Sequence, residues 1–174
     1  TAGLPRAAAF ALIETGEWLF TAIGMGGDHP RLNHDDLVAF AAAVPCPALL
    51  DALRRAEPTT PVAGFRFPVA VRRRYDRRAS LPVGLVALGD GVCSLDPVYG
   101  QGMAVAAMQA AGLREDLHRG LGTRRIQVNA LAAARTAWDL AEAADLALPC
   151  VSGHRSVAHR VVARYVRRLQ AAAS

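Results

Sequence analysis

The chain has 174 residues, 52% of them hydrophobic, and a formal net charge of +5 in which all 20 basic residues are arginine. That length is enough for one packed domain, with or without an added lobe. The lack of lysine removes the phosphate-loop lysine and any Schiff-base chemistry.

Residues 9–13 and 18–23 alternate around Glu14-Thr15-Gly16-Glu17, which predicts a β-hairpin turning at Thr15-Gly16. Trp18, Phe20 and Ala22 share one face of it, as core packing or as the lining of a pocket. Gly24-Met25-Gly26-Gly27 follows the second strand, but Asp28-His29-Pro30 comes next instead of a helix with a third spaced glycine, so it does not read as a dinucleotide turn. Asn33 is the expected N-cap of a helix through Leu37, Val38, Phe40 and Ala41, with Asp35 and Asp36 in its first turn and Pro45 and Pro47 beyond its end. A second helix is predicted over 48–56, then a strand over 62–71, where Phe65, Phe67, Val69 and Val71 alternate.

The dense run Arg72-Arg73-Arg74-Tyr75-Asp76-Arg77-Arg78 ends that segment and reads first as a solvated or interface strand end. Contact with a nicotinamide cofactor's phosphate or an acidic substrate, and nucleic-acid binding, are its other readings. Val83, Leu85, Val86, Ala87 and Leu88 predict a buried strand that stops at Gly89, leaving Asp90 to project an acceptor from the strand's carboxyl end. Pro97 stiffens the following loop, Gly100 and Gly102 leave backbone uncovered, and a helix opens near Gln101 or Met103 with its unpaired N–H groups outward.

The small residues Ala106, Ala107, Ala110, Ala111 and Gly112 let that helix pack closely, and Gly120 and Gly122 read as its stop. Helical spacing continues through Ile126, Ala130, Ala134, Ala137, Trp138 and Ala141. A last helix is expected through Val157, Val161, Val162, Tyr165, Val166 and Leu169, with Arg160, Arg164, Arg167 and Arg168 outward.

Cys46, Cys93 and Cys150 lie far apart with no C-x-x-C, which argues against a disulfide framework or structural zinc and fits reduced thiols. Cys93, inside the loop after Asp90, reads as a small semi-buried hydrophobe. The five histidines show no H-E-x-x-H, and there is no G-x-S-x-G elbow. No apolar run approaches the roughly 20 residues that span a bilayer. With no signal-peptide pattern, the expectation is a cytoplasmic protein without a membrane span.

Gly89-Asp90 followed by Asp96-Pro97-Val98-Tyr99-Gly100-Gln101-Gly102-Met103 resembles the second FAD-binding motif of the para-hydroxybenzoate-hydroxylase-type flavoprotein monooxygenases. The resemblance extends over most of the chain, and its sharp part is residues 89–103. It implies that Gly89, Asp90, Pro97, Gly100, Gln101, Gly102 and Met103 bind cofactor: Asp90 at the ribityl chain of FAD, Pro97 near the flavin ring, and the amides of Gly102 and Met103 at its pyrimidine side. Where the commonest family pattern continues Gly-Asp with Ala-Ala-His, this chain has Gly91-Val92-Cys93, which resembles a subgroup of FAD-dependent oxidoreductases.

The implied fold class is α/β, mixed α+β for this portion alone: the C-terminal part of a glutathione-reductase-like FAD-binding domain (residues 81–174) with part of a β-sheet substrate lobe (1–80). The implied activity is oxidation of a small organic substrate with FAD, NAD(P)H and O2, most specifically a monooxygenation, and no side chain is singled out as acid or base. The G-x-G-x-x-G half expected of such proteins is missing, and with Thr1 in place of an initiator methionine the chain reads as an incomplete portion whose missing N-terminal half is a partner. A noncatalytic subunit completing a flavin site with another polypeptide, and an arginine-rich nucleic-acid module, are the alternatives.

Overall fold

The computed structural model describes residues 6–77, 81–148 and 150–154, together with 157, 161, 164, 165 and 168. Its elements are helices and short antiparallel sheets, and the chain divides into two compact units, Thr1–Phe65 with Leu146–Ser174, and Arg66–Asp145. The sequence reading puts its boundary at residues 80/81. Here the arginine-rich segment joins the later unit because Val71 and Arg72 pair with Ser94 and Cys93.

In the first unit, β1 (Arg6–Leu12) and β2 (Trp18–Gly24) form the expected hairpin, in register from Arg6↔Gly24 to Leu12↔Trp18. Ile13 N–H donates to the Glu17 carbonyl and Gly16 N–H to the Ile13 carbonyl, both at 3.0 Å, with Gly16 at φ +81°. Phe10 meets Phe20 at 4.9 Å and the edge of Trp18 at 6.2 Å across the strands. Trp18 stays exposed, so these rings form a cross-strand cluster and not a sealed core. Beyond the hairpin, Arg6 pairs through Nε and Nη2 with both Asp28 carboxylate oxygens and lies 4.2 Å over the Phe40 ring. That hydrogen-bonded guanidinium holds the Asp28 carboxyl below its ordinary value.

Helix α1 (His34–Ala41) starts where the cap signal places it: Asn33 Oδ1 accepts from Asp36 N–H at 2.9 Å, while Asn33 Nδ2 donates to the Asp36 carboxylate at 2.7 Å. Substituting Asn33 by alanine is expected to cost about 1 kcal/mol in urea denaturation, the usual worth of a side-chain N-cap. Helix α2 (Pro47–Arg55) takes Pro47 as its first residue, a position with no intrahelical N–H bond to lose.

The strand expected over 62–71 is a correction: only its last residue lies in a ladder. Phe65 is 84% exposed and Val69 62%. Alternation prepares a face, but without a neighbouring strand nothing binds the backbone into a sheet.

The second unit contains β3 (Val71–Arg72), β4 (Cys93–Ser94), α3 (Gly102–His118), α4 (Thr123–Ala133) and α5 (Arg135–Asp145). Its core joins Val92, Cys93, Leu95, Val105, Leu131, Ala134 and Ala141. The buried strand expected over 83–88 is likewise absent, with Val83 97% exposed and Leu85 61%. Side chains take a strand's place along this segment. Gln127 of α4 accepts from Ala87 N–H at 2.8 Å and donates to its carbonyl at 3.1 Å, Gln109 of α3 accepts from Gly89 N–H at 2.7 Å, and Thr123 Oγ1 accepts from Gly84 N–H at 2.9 Å.

Helix α3 stops as predicted. With Gly120 left-handed, its N–H donates to the Leu117 carbonyl and Leu121 N–H to the Asp116 carbonyl, both at 3.0 Å, which satisfies the last turn. Of the last predicted helix, residues 157, 161, 164, 165 and 168 are helical and exposed. Arg78, Arg160, Val162, Val166, Arg167 and Leu169 lie outside the described residues. Among the described residues no helix is long and apolar enough to cross a membrane.

Candidate cofactor site

The Gly-Asp motif is a single 3-10 turn, Gly89–Gly91, entered from an extended Leu88 and closed by Gly91 N–H on the Leu88 carbonyl at 3.1 Å and Val92 N–H on the Gly89 carbonyl at 3.0 Å. Gly89 sits at φ +54°, and a Cβ built there would meet only the Ala106 methyl, at 3.9 Å. Glycine is required here by torsion, a left-handed backbone that a side chain would strain. The same contact places the turn on α3 one helical turn beyond Gly102.

Asp90 is exposed, and its carboxylate makes no hydrogen bond or ion pair among the described residues. Its carbonyl is held instead: Arg73 Nη1 donates to it at 2.9 Å, while Arg73 backbone N–H donates to the Val92 carbonyl at 2.8 Å. Arg73 thus staples both sides of the turn. Nothing in the local pattern marked it out from its neighbours in the arginine run. Arg74 is committed elsewhere, to Asp76 at 2.6 and 2.9 Å, and this pairing lowers the Asp76 carboxyl to about 2.

Cys93, directly after the turn, is buried in the core as a small hydrophobe. Burial raises its thiol pKa, with nearby Arg72 opposing the rise and Asp90 adding to it.

Downstream, Asp96 Oδ1 accepts from Val98 N–H at 3.0 Å and caps a second 3-10 turn, Pro97–Tyr99, in which Pro97 is the exposed first residue. Gly100 then turns left-handed at φ +64° and delivers the chain to α3. The first amide bonded back to the helix entrance is Val105 N–H, on the Gln101 carbonyl at 3.0 Å, so Gly102, Met103 and Ala104 present N–H groups with no intrahelical acceptor. A Cβ at Gly102 would meet nothing within 4 Å, Met103 is 86% exposed, and Gln101 Oε1 is buried with no hydrogen-bond partner. These features leave acceptor-seeking amides open at the helix start, and the Asp90 carboxylate is a free acceptor for hydroxyl donors.

One feature of this region left no mark in the sequence. Tyr99 Oη donates to Asp145 Oδ1 at 2.6 Å, joining the motif loop to the end of α5. Burial raises the Asp145 carboxyl above its ordinary value, the Tyr99 bond opposes this, and Asp96 adds repulsion. A cavity of about 30 Å³, room for roughly one water, lies between α3 and α4 at Gln109, Asp116 and Asn129. It is beneath Leu88 and does not include Asp90. Asp90, Gly91, Pro97, Gly100 and Met103 form open surface. No group of three or more His, Cys, Asp and Glu residues that could hold a metal occurs among the described residues.

No protein-family model matches the chain. Over 104 residues, 60% of its length, it is 36% identical to "Protein Rv3254" of Mycobacterium tuberculosis (strain ATCC 25618 / H37Rv). The match spans 22% of that protein.

Proposed function

We propose that this chain supplies the flavin-facing part of an FAD-dependent oxidoreductase, a monooxygenase that uses NAD(P)H and O2 on a small organic substrate. The observation that carries the reading is the seating of the Gly89–Gly91 turn, with its unpaired Asp90 carboxylate, against α3, a helix whose first three amides are uncommitted.

In this reading Asp90 accepts hydrogen bonds from the ribityl hydroxyls. The N–H groups of Gly102 and Met103, with the positive end of the α3 dipole, stabilise negative charge on the ring. Gln101 offers its buried, unpartnered amide oxygen to a donor on the ring edge. Pro97 lies near the ring on a loop stiffened by its fixed φ, and the left-handed turn at Gly100 leads that loop into α3. FAD when bound would supply the redox chemistry itself, and this chain the positioning and electrostatics. The free thiols Cys46, Cys93 and Cys150 suit a reducing, cytoplasmic setting.

A companion reading is a noncatalytic element whose flavin site is completed by another polypeptide. A site built from ribityl and ring contacts alone must still meet the cost of immobilising a large ligand. The isolated chain is accordingly expected to bind FAD weakly.

The test is FAD titration of the full 174-residue chain by flavin fluorescence, beside Asp90→Ala. Loss of a charge-assisted bond predicts about tenfold weaker binding, with an unchanged circular dichroism spectrum. Equal affinity in the two proteins would remove Asp90 from the site.

A further inference from the structure

We propose that Arg73 is the anion-binding arm of the Asp90 site, so that a phosphate of the ligand is taken by a residue outside the Gly-Asp and Gly-Gln-Gly motifs. The inference rests on the flavin reading above and adds how the phosphorylated end of the cofactor is held.

The guanidinium is tethered to the turn by its Nη1 bond to the Asp90 carbonyl, on a backbone held by the Arg73 N–H bond to the Val92 carbonyl. A guanidinium carries five N–H donors in a planar fork, and the carbonyl occupies one. Arg73 is exposed and forms no ion pair among the described residues, so the other donors face solvent uncommitted. Its neighbour differs in this respect, because the Arg74 charge is neutralised by Asp76.

The acid and the base that flank the turn therefore have separate tasks. Asp90 remains free to accept from hydroxyls, since Arg73 is engaged with its carbonyl and not its carboxylate. Arg73 remains free to donate to an anion, and its positive charge offsets the repulsion that Asp90 would exert on that anion. A molecule carrying a polyol and a phosphate on one chain satisfies both, whereas a bare polyol satisfies only Asp90.

Riboflavin and flavin mononucleotide separate these contributions, because they share the ring and ribityl chain and differ by a terminal phosphate. Titrated into the full chain at low salt, the mononucleotide is expected to bind about tenfold tighter, and added salt should narrow that preference. In Arg73→Ala the preference should fall close to unity. Arg73→Lys should keep part of it, since the charge remains while the fork is lost. Should the alanine variant fail to fold, Arg73→Gln retains a donor for the Asp90 carbonyl without the charge and takes its place.

A full phosphate preference in the uncharged variants would overturn the assignment of Arg73 and leave the flavin reading standing. Failure of the unmodified chain to bind either flavin would overturn the flavin reading, and this inference with it.

Discussion

Replacing Gln109 by leucine is expected to destabilise the second unit by about 2–4 kcal/mol, the largest effect foreseen for a single side chain here. Gln109 is only 2% exposed; its Oε1 accepts from Gly89 N–H, and its Nε2 donates to the Ala130 carbonyl at 2.9 Å. Leucine fills a similar volume and leaves both backbone groups without partners, each unsatisfied group costing about 1–3 kcal/mol. A lowered urea midpoint at unchanged m-value is the signature to seek. Gln109→Glu separates the two bonds: it keeps an acceptor for Gly89 but sets a carboxylate against the Ala130 carbonyl. A leucine variant as stable as the parent would show that Gly89 and Ala130 find other partners.

Tyr99→Phe is expected to destabilise at neutral pH by about 1–2 kcal/mol, after allowance for a half-exposed position, and by less in acid. The sign follows from linkage. In the fold the Asp145 carboxyl is raised, so the native state binds its proton more tightly than the unfolded chain does. Its contribution to stability is full below the ordinary carboxylate range and declines as pH rises through the raised native value. Tyr99 limits that decline by donating to the ionised form. Without the hydroxyl, Asp145 keeps its burial and the repulsion from Asp96 but loses its donor, and its pKa rises further. Thermal melts from pH 4 to pH 8 should show the phenylalanine variant converging on the parent at the acid end and diverging above it. A pH-independent difference would mean that the lost bond does not report the charge on Asp145.

Elements announced by local chemistry were legible in the sequence. Thr15-Gly16 sets the hairpin, Asn33 with Asp36 starts α1, and Gly120 stops α3, while the apolar spacing from Ile126 to Ala141 predicts one helix that the structure divides at Ala134 into α4 and α5. The two segments misread as strands share one cause. Their alternating or continuous apolar residues describe what a strand would bury, while a ladder also needs a partner, which no window of sequence specifies. The site shows the same division. Gly89, Asp90 and the glycine-flanked helix start stand together in sequence and were visible at once. Arg73 lies 17 residues from Asp90, Gln109 lies 20 from Gly89, and Tyr99 lies 46 from Asp145, so their roles depend on packing between distant elements.

The glutamine brackets along residues 87–89 reach further than anchoring. An extended chain points the amides of successive residues in opposite directions, so one that is grasped at Ala87 and again at Gly89 can advance only in steps of two. A slip by one residue would offer both carboxamides the wrong edge of the segment. Two uncharged side chains on α3 and α4 therefore act as a phase lock on the stretch that enters the Gly89–Gly91 turn.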